Sequence, residues 1–234
     1  MKIAIMQPYV LPYIGYFQMI SAVDKFVFYD DVNFIKKGWI NRNKILVNNK
    51  DFTFSIPLTK ISQNVSINKT DINLDRFEEW KQKFVQTLKF NYKKAPHFVA
   101  VNAQIENLLA TDSKTISQFA IESVITISKY LEINTEFLVS SERYDNKHLE
   151  RQERLIDICE QENATHYINA LGGQDLYSKD SFMRKGVQLN FIKTLPISYE
   201  QFKDEFVPWL SIIDVLMFNS VEEVRNLLDQ YDLV

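Results

Sequence analysis

One cysteine, five glycines, six prolines and three histidines leave little special chemistry, and each shortage closes off a class of answer. Cys159, standing alone, excludes an internal disulfide and any multi-cysteine zinc site. It lies in a helical pattern and reads as a packed thiol. His97, His148 and His166 are scattered without HExxH or HxH spacing, so no metal site is expected. So few glycines and prolines argue against long disordered or low-complexity segments. The phosphate fingerprints GxGxxG and GxxxxGKS are missing, and so is the G-x-S-x-G elbow of an α/β-hydrolase. A net charge of −3 supplies no basic face for a nucleic-acid partner. No apolar run approaches the roughly 18 residues of a membrane span, and no charged leader with an apolar core opens the chain. The expectation is a cytoplasmic protein without a membrane span.

What is present is a chain of 234 residues, long enough for one substantial core or two small ones, with seventeen Phe and eleven Tyr. That aromatic content suits a packed core and a cleft with aromatic walls. No repeat and no Gly-, Ser- or Pro-rich linker divides it, so residues 1–234 read as a single α/β domain.

The first forty-four residues carry the most information. Lys2 to Met6 (KIAIM) is a buried-strand pattern at the N-terminus, followed by the proline-pinned loop Gln7-Pro8-Tyr9-Val10-Leu11-Pro12. An amphipathic helix enters at Tyr13-Ile14-Gly15-Tyr16-Phe17 and ends near Val23, and a second strand, Lys25 to Tyr29, leads to Asp30-Asp31. Strand, loop, helix and strand in this order open an α/β sheet, whose ligands bind beyond the C-terminal strand ends. Farther on, Asn43 to Leu58 reads as a hairpin turning at Asn48-Asn49-Lys50-Asp51, and Ile67 to Leu74 as a short extended segment. Helices are expected from an Asp75 cap with Glu78 three residues on, over His97–Leu109 and over Thr115–Leu131. Strands follow at Thr135–Ser140, Thr165–Asn169 and Val187–Ile192. Helices occupy Leu149–Glu162, Leu176–Lys185, Leu210–Phe218 and Val221–Tyr231. The fold class is α/β: an open, mostly parallel Rossmann-like sheet with an inserted helical elaboration at about residues 75–132 and C-terminal helices.

Candidate site residues gather at the predicted strand ends. Gln7 leaves the first strand; Pro8 and Pro12 fix the loop; and the helix at Tyr13 aims free N–H groups at the crevice, where an anion would be stabilised. Tyr9, Tyr13 and Tyr16 line this turn, and Gly15, retained inside a helix at about 1 kcal/mol against Ala, suggests close approach of a ligand or backbone. Asp30 and Asp31 point to opposite sides of an extended chain, so they do not form an acid/base dyad. One could bind a metal, a ribose hydroxyl or an ammonium group while the other caps a turn. In the run Lys36-Lys37-Gly38-Trp39-Ile40-Asn41-Arg42-Asn43-Lys44, Lys37 and Trp39 join Asn41 and Arg42, a forked donor set suited to phosphate or carboxylate. A second polar loop places His166, Asn169, Gly172, Gly173 and Asp175 around the sole Gly-Gly pair, where the backbone can approach a ligand. Ordinary turn chemistry and solvated loops would produce much the same pattern.

IAIMQPYVLPYIGYF, VFYDDVNFIKKGWINRNKI, HYINALGGQDLY, GVQLNFI and WLSIIDVLMFNS, in this order, resemble the WbqC-like protein family over nearly the full length. The resemblance implies a small cytoplasmic protein of bacterial surface-polysaccharide synthesis, of O-antigen (lipopolysaccharide) or capsule. It also implies acyl or aminoacyl transfer to an amino sugar or nucleotide sugar. The turn is also similar to the HxGH signature of class I nucleotidyl-transfer folds, with Tyr13 and Tyr16 where those carry histidines. On that likeness the cofactor is left open, with ATP or another nucleotide as the class in view. Gln7, Asp30, Asp31 and Arg42 are the candidate catalytic residues of a transferase whose partner is a small molecule such as a nucleotide sugar. The other reading is a non-catalytic nucleotide- or sugar-binding partner protein; a homodimer is compatible with either.

Overall fold

A computed structural model of the chain describes residues 1–202 and 205–234. Along the chain, β1 (Lys2–Met6), α1 (Ile14–Ser21) and β2 (Lys25–Phe28) precede a hairpin of β3 (Arg42–Val47) and β4 (Lys50–Ser55). Three helices follow, α2 (Leu74–Tyr92), α3 (Phe98–Leu109) and α4 (Ile116–Tyr130). Next come β5 (Glu136–Leu138), α5 (Arg151–Gln161), β6 (His166–Ala170), α6 (Lys179–Met183) and β7 (Gln188–Thr194). The chain closes with α7 (Ile212–Phe218), α8 (Val221–Leu228) and β8 (Tyr231–Leu233).

Six strands form one sheet in the order β5-β2-β1-β6-β7-β8, parallel throughout except for the antiparallel pair β7–β8. From β1 the chain winds outward through β2 to β5, then returns past β1 to build β6 and β7. The order therefore reverses between β1 and β6, and the crevice outside the strand ends at such a reversal is the ligand position of open α/β sheets. Both faces of the sheet are covered. Ala4, Phe26, Phe28, Ile168 and Ile192 pack under α1 to α4, α7 and α8. Ile3, Ile5, Val27, Tyr167, Leu189 and Phe191 pack under α5 and α6. A strand buried on two faces cannot alternate apolar with polar, which is why KIAIM is a continuous apolar run. Each large side chain removed from water here stabilises the fold by about 1.5–3 kcal/mol.

The C-terminal region departs from the sequence pattern. Helical spacing predicted Val221–Tyr231, but α8 ends at Leu228 and Tyr231–Leu233 pairs with β7 as a sixth strand. The backbone of Phe191 bonds Val234 in both directions (2.8 and 3.0 Å), a tertiary pairing that no local pattern reports. Likewise α2 is capped by Asn73, whose Oδ1 accepts from the Arg76 N–H at 3.2 Å, so Asp75 sits inside the first turn. Residues 67–69 form a single 3-10 turn where an extended segment was expected. The hairpin turns on Asn48 and Asn49 alone, both with positive φ (50° and 59°), as a two-residue connection requires. Among the described residues no helix is long and apolar enough to cross a membrane.

One polar node fastens the helices around the hairpin. Asp214 of α7, fully buried, accepts from Tyr92 (2.7 Å), Tyr199 (2.6 Å) and Gln201 (2.5 Å). The Tyr92 hydroxyl in turn accepts from the Leu46 N–H at 2.6 Å. Satisfied on every side, this carboxylate avoids the penalty of an unpaired buried charge and holds α2, α7 and β3 in one arrangement.

Candidate functional site at the C-terminal edge of the sheet

The loop from Gln7 to Tyr13 is held by groups from three distant segments. The Val10 N–H donates to the Ile40 carbonyl (3.2 Å) and the Leu11 N–H to Ser123 Oγ (3.0 Å). Asn43, buried on β3, donates to the carbonyls of Val10 (3.2 Å) and Leu11 (2.8 Å). Ser211 Oγ donates to the Leu11 carbonyl (2.7 Å), and the Ile212 N–H to that of Pro12 (2.9 Å). These bonds keep Leu11 at φ 43°, a left-handed conformation that a leucine adopts only when its surroundings over-determine it.

Beyond the loop, α1 begins without a side-chain cap. Tyr16 is fully buried and its hydroxyl donates to the Gln7 carbonyl at 2.9 Å, so that group is committed within the fold. Burial holds its pKa well above the ordinary tyrosine value. Tyr9 and Tyr13 are only partly buried; burial, with Tyr13 nearby, pushes the Tyr9 phenol up to about 12, so it is a neutral donor at physiological pH. Gly15 has a steric reason: a Cβ there would lie 2.4 Å from the Tyr13 ring and 2.7 Å from Thr194 Oγ1, at the end of β7. The first turn of α1 therefore reaches across β6 to β7. Its Ile14 and Gly15 N–H groups have no acceptor among the described residues, as the opening of a helix leaves them.

Just beyond β2, which ends at Phe28, the two carboxylates take different partners and meet only at Ser141. Asp30 turns toward α4 and accepts from Ser117 Oγ (2.8 Å), Ser140 Oγ (2.7 Å) and the Ser141 N–H (3.3 Å). Burial raises its pKa, partly offset by these donors. Asp31 turns toward α5, pairs with buried Arg154 at 2.5 Å, and takes the Ser141 hydroxyl and the more distant Lys147 (3.5 Å). Arg154 is itself fixed by Asn146 Oδ1 (2.7 Å) and lies 4.7 Å from the Tyr29 ring centre.

The second polar loop leaves β6 beside the end of β1. Asn169 is buried; its Oδ1 accepts from the Ala170 N–H (2.8 Å), and a Cβ on Gly173 would come within 2.6 Å of its Nδ2. Gly172 and Asp175 are exposed. His166 stands at the first position of β6, paired with Lys2 at the start of β1, so it lies at the opposite edge of the sheet from Gln7 and Asn169.

In the basic loop, Arg42 donates to the carbonyls of Gly38 (2.9 Å) and Lys37 and lies 5.4 Å from the Trp39 ring centre. Asn41 donates to the Ile56 carbonyl at 3.0 Å. Arg42 thus closes its own loop and Asn41 bridges to the residue after β4, while Lys37 and Trp39 stay exposed. Buried Pro8 completes the turn that carries Gln7.

The structure brings Gln7, Tyr9, Tyr13, Gly15, Asn169 and Gly173 to one edge with Asp30 and Asp31, and leaves His166 apart. It adds residues that sequence reading missed. Ser117, Ser140, Ser141 and Arg154 surround the two aspartates from 86 or more positions away along the chain. Their only local signals were the Ser-Ser pair after a predicted strand and an arginine inside an apolar helical stripe. Trp209, 69% exposed and held at φ 63°, sets its ring 6.1 Å from that of Tyr13. Cys159 is fully buried and its thiol is pushed up to about 12, as packing in apolar surroundings dictates.

The model of the WbqC-like protein family matches residues 7–226. The chain is also similar to an uncharacterized protein, Rv1507c, of Mycobacterium tuberculosis (strain ATCC 25618 / H37Rv), with 28% identity over 232 residues that cover 97% of each chain. No solved structure matches.

Proposed function

The chain belongs to the WbqC-like protein family, and from that premise we propose a transferase of bacterial surface-polysaccharide synthesis that moves an acyl or aminoacyl group onto an amino sugar or nucleotide sugar. The observation that carries the reading is the first turn of α1. Two N–H groups without acceptors among the described residues, Ile14 and Gly15, lie at the strand-order reversal on a loop already pinned by distant hydrogen bonds. A phosphate or carboxylate of an activated donor, a nucleotide included, is stabilised there without rearrangement of the backbone. Gln7 and Tyr13 flank that seat, and Trp209 beside Tyr13 offers a stacking surface to a planar donor group.

In the transfer, the ionised Asp30 carboxylate first takes a proton from the bound ammonium group, and the freed electron pair of the amine attacks the carbonyl carbon of the activated donor. The C–N bond forms, the bond from that carbon to the donor's leaving group breaks, and the second N–H proton departs with the leaving group. Asp30 is the candidate base, because burial raises its pKa toward the range in which a base works. Asp31, spent on Arg154, is not free for that role. Direct transfer suits this edge better than a covalent intermediate, since among the described residues no activated nucleophile stands on it.

A thermal-shift panel of ATP, a nucleotide sugar, acyl-CoA and amino acids tests the reading. At saturating concentration one nucleotide-containing member raises Tm by about 5–10 °C. Gln7→Ala and Tyr13→Ala each remove that shift while leaving the ligand-free Tm within a few degrees. A flat panel, or a shift that survives both substitutions, overturns the proposal and leaves the non-catalytic partner reading in its place.

A further inference from the structure

On the α4 side of the sheet, beyond the ends of β2 and β5, lies a cavity of about 790 Å3, within the size range of small-molecule sites. Asp30, only 4% exposed, lines it together with Ser117 and Ser140. Both serine hydroxyls donate to the Asp30 carboxylate, so each presents its remaining lone pairs as acceptors. Thr115 and Asn68 extend this polar lining, while Ile121, Ile125 and Val139 supply an apolar wall. Hydroxyls, an amide and a carboxylate facing aliphatic side chains suit a ring that carries hydroxyl groups at its rim and C–H groups on its face.

Charge narrows the ligand further. Asp30, Asp112, Glu122 and Glu142 line the cavity against Lys69 alone. Asp112 is paired with Lys114, and Glu142 with Lys147 at 3.4 Å, but Asp30 is held only by neutral donors. A phosphate would meet carboxylates here without a basic clamp, whereas a cation would find Asp30 already desolvated and fixed in place. We infer that this cavity seats an amino sugar, with its protonated amine at Asp30, its hydroxyls on Ser117 and Ser140, and its ring against Val139. The assignment names the acceptor of the proposed transfer and rests on that reading for the acceptor role alone; the binding itself depends only on the cavity.

Titration calorimetry of the full chain with glucosamine, glucose, N-acetylglucosamine and ATP tests this, at a pH where the glucosamine amine is protonated. Glucosamine binds, and glucose and N-acetylglucosamine bind at least about tenfold more weakly, the loss of one charge-assisted hydrogen bond. Asp30→Asn weakens glucosamine by about tenfold or more for the same reason. Val139→Trp, at a position 59% exposed and outside the buried network, blocks it by filling the cavity. Gln7→Ala and Tyr13→Ala leave glucosamine binding unchanged. Absence of glucosamine binding, equal binding of glucose, or binding that survives both Asp30→Asn and Val139→Trp overturns the inference. Glucosamine binding without any nucleotide shift in the thermal panel would instead sink the donor reading and leave this one standing.

Discussion

Asp30 and Asp31 are neighbours in sequence and both are buried, yet they serve opposite faces of the sheet under opposite electrostatic conditions. Asp31 faces α5 and is neutralised by Arg154 at 2.5 Å; every strong interaction it can make is already made inside the fold. Asp30 faces α4 and is held by two serine hydroxyls and one N–H, with no cation, beside a cavity. A buried carboxylate with its own cation is part of the scaffold. One stabilised by neutral donors keeps its full charge for whatever enters next to it. The comparison therefore marks Asp31 as part of the scaffold and, under the proposed function, leaves Asp30 for chemistry.

The largest expected effect breaks the structural side. Arg154→Ala leaves Asp31 buried without its cation, and stability falls by about 3–5 kcal/mol, readable as a lowered urea midpoint. A loss below about 1 kcal/mol would mean that Asp31 finds water or Lys147 instead, and the contrast with Asp30 would dissolve.

The middle-sized effect concerns Asp30 and has a definite sign in pH. Burial holds its folded-state pKa above the ordinary 3.8, so the folded protein keeps this proton over a window where the unfolded chain has released it. The Asp30 contribution to wild-type stability therefore falls as pH rises from the unfolded value through the folded one, and is level above it. Asp30→Asn lacks that loss. Urea unfolding at several pH values should show the variant gaining on the wild type as pH rises through that window, and by a constant margin beyond it. Asp214, also raised by burial, carries the same sign in both proteins and cancels in the difference. A margin that shrank with rising pH would reverse the assignment.

The smallest effect sharpens the Asp31 side. Lys147 reaches Asp31 at 3.5 Å with its own side chain 46% exposed, so solvent screens the pair. Lys147→Ala should cost under about 1 kcal/mol in the same urea measurement. A cost comparable to that of Arg154→Ala would show Asp31 relying on both cations equally.

Much of the edge that carries these residues was legible in the sequence. The apolar run 2–6, the Pro8–Pro12 loop and the strand ending before Asp30 follow from local pattern, and that pattern alone puts Gln7 and both aspartates at strand ends. Alternation along an extended chain predicts different sides for Asp30 and Asp31; in the structure both stand beyond β2, with Ser117 and Arg154 as their separate partners and Ser141 touching both. Less was legible where a residue's role depends on a distant partner. Arg42 and Asn41 carry the donor forks of an anion site, but the structure turns Arg42 onto carbonyls of its own loop and Asn41 onto the Ile56 carbonyl past β4. His166 sits in the right strand at the wrong end, because motif reading gives proximity along the chain but not direction across the sheet. Ser117, Ser140 and Arg154 carry no motif at all.

Local physics accounts for what the sequence determined: period and propensity set the strands and helices, turn residues set the loops, and strand ends set the edge where a ligand would meet the protein. Only the tertiary structure decided which polar groups on that edge are already spent. Pairing is a property of two residues, and the partners of Asp30, Asp31 and the Gln7 loop come from segments dozens of positions away. The energy of a buried charge depends on those partners far more than on its own neighbours in the chain.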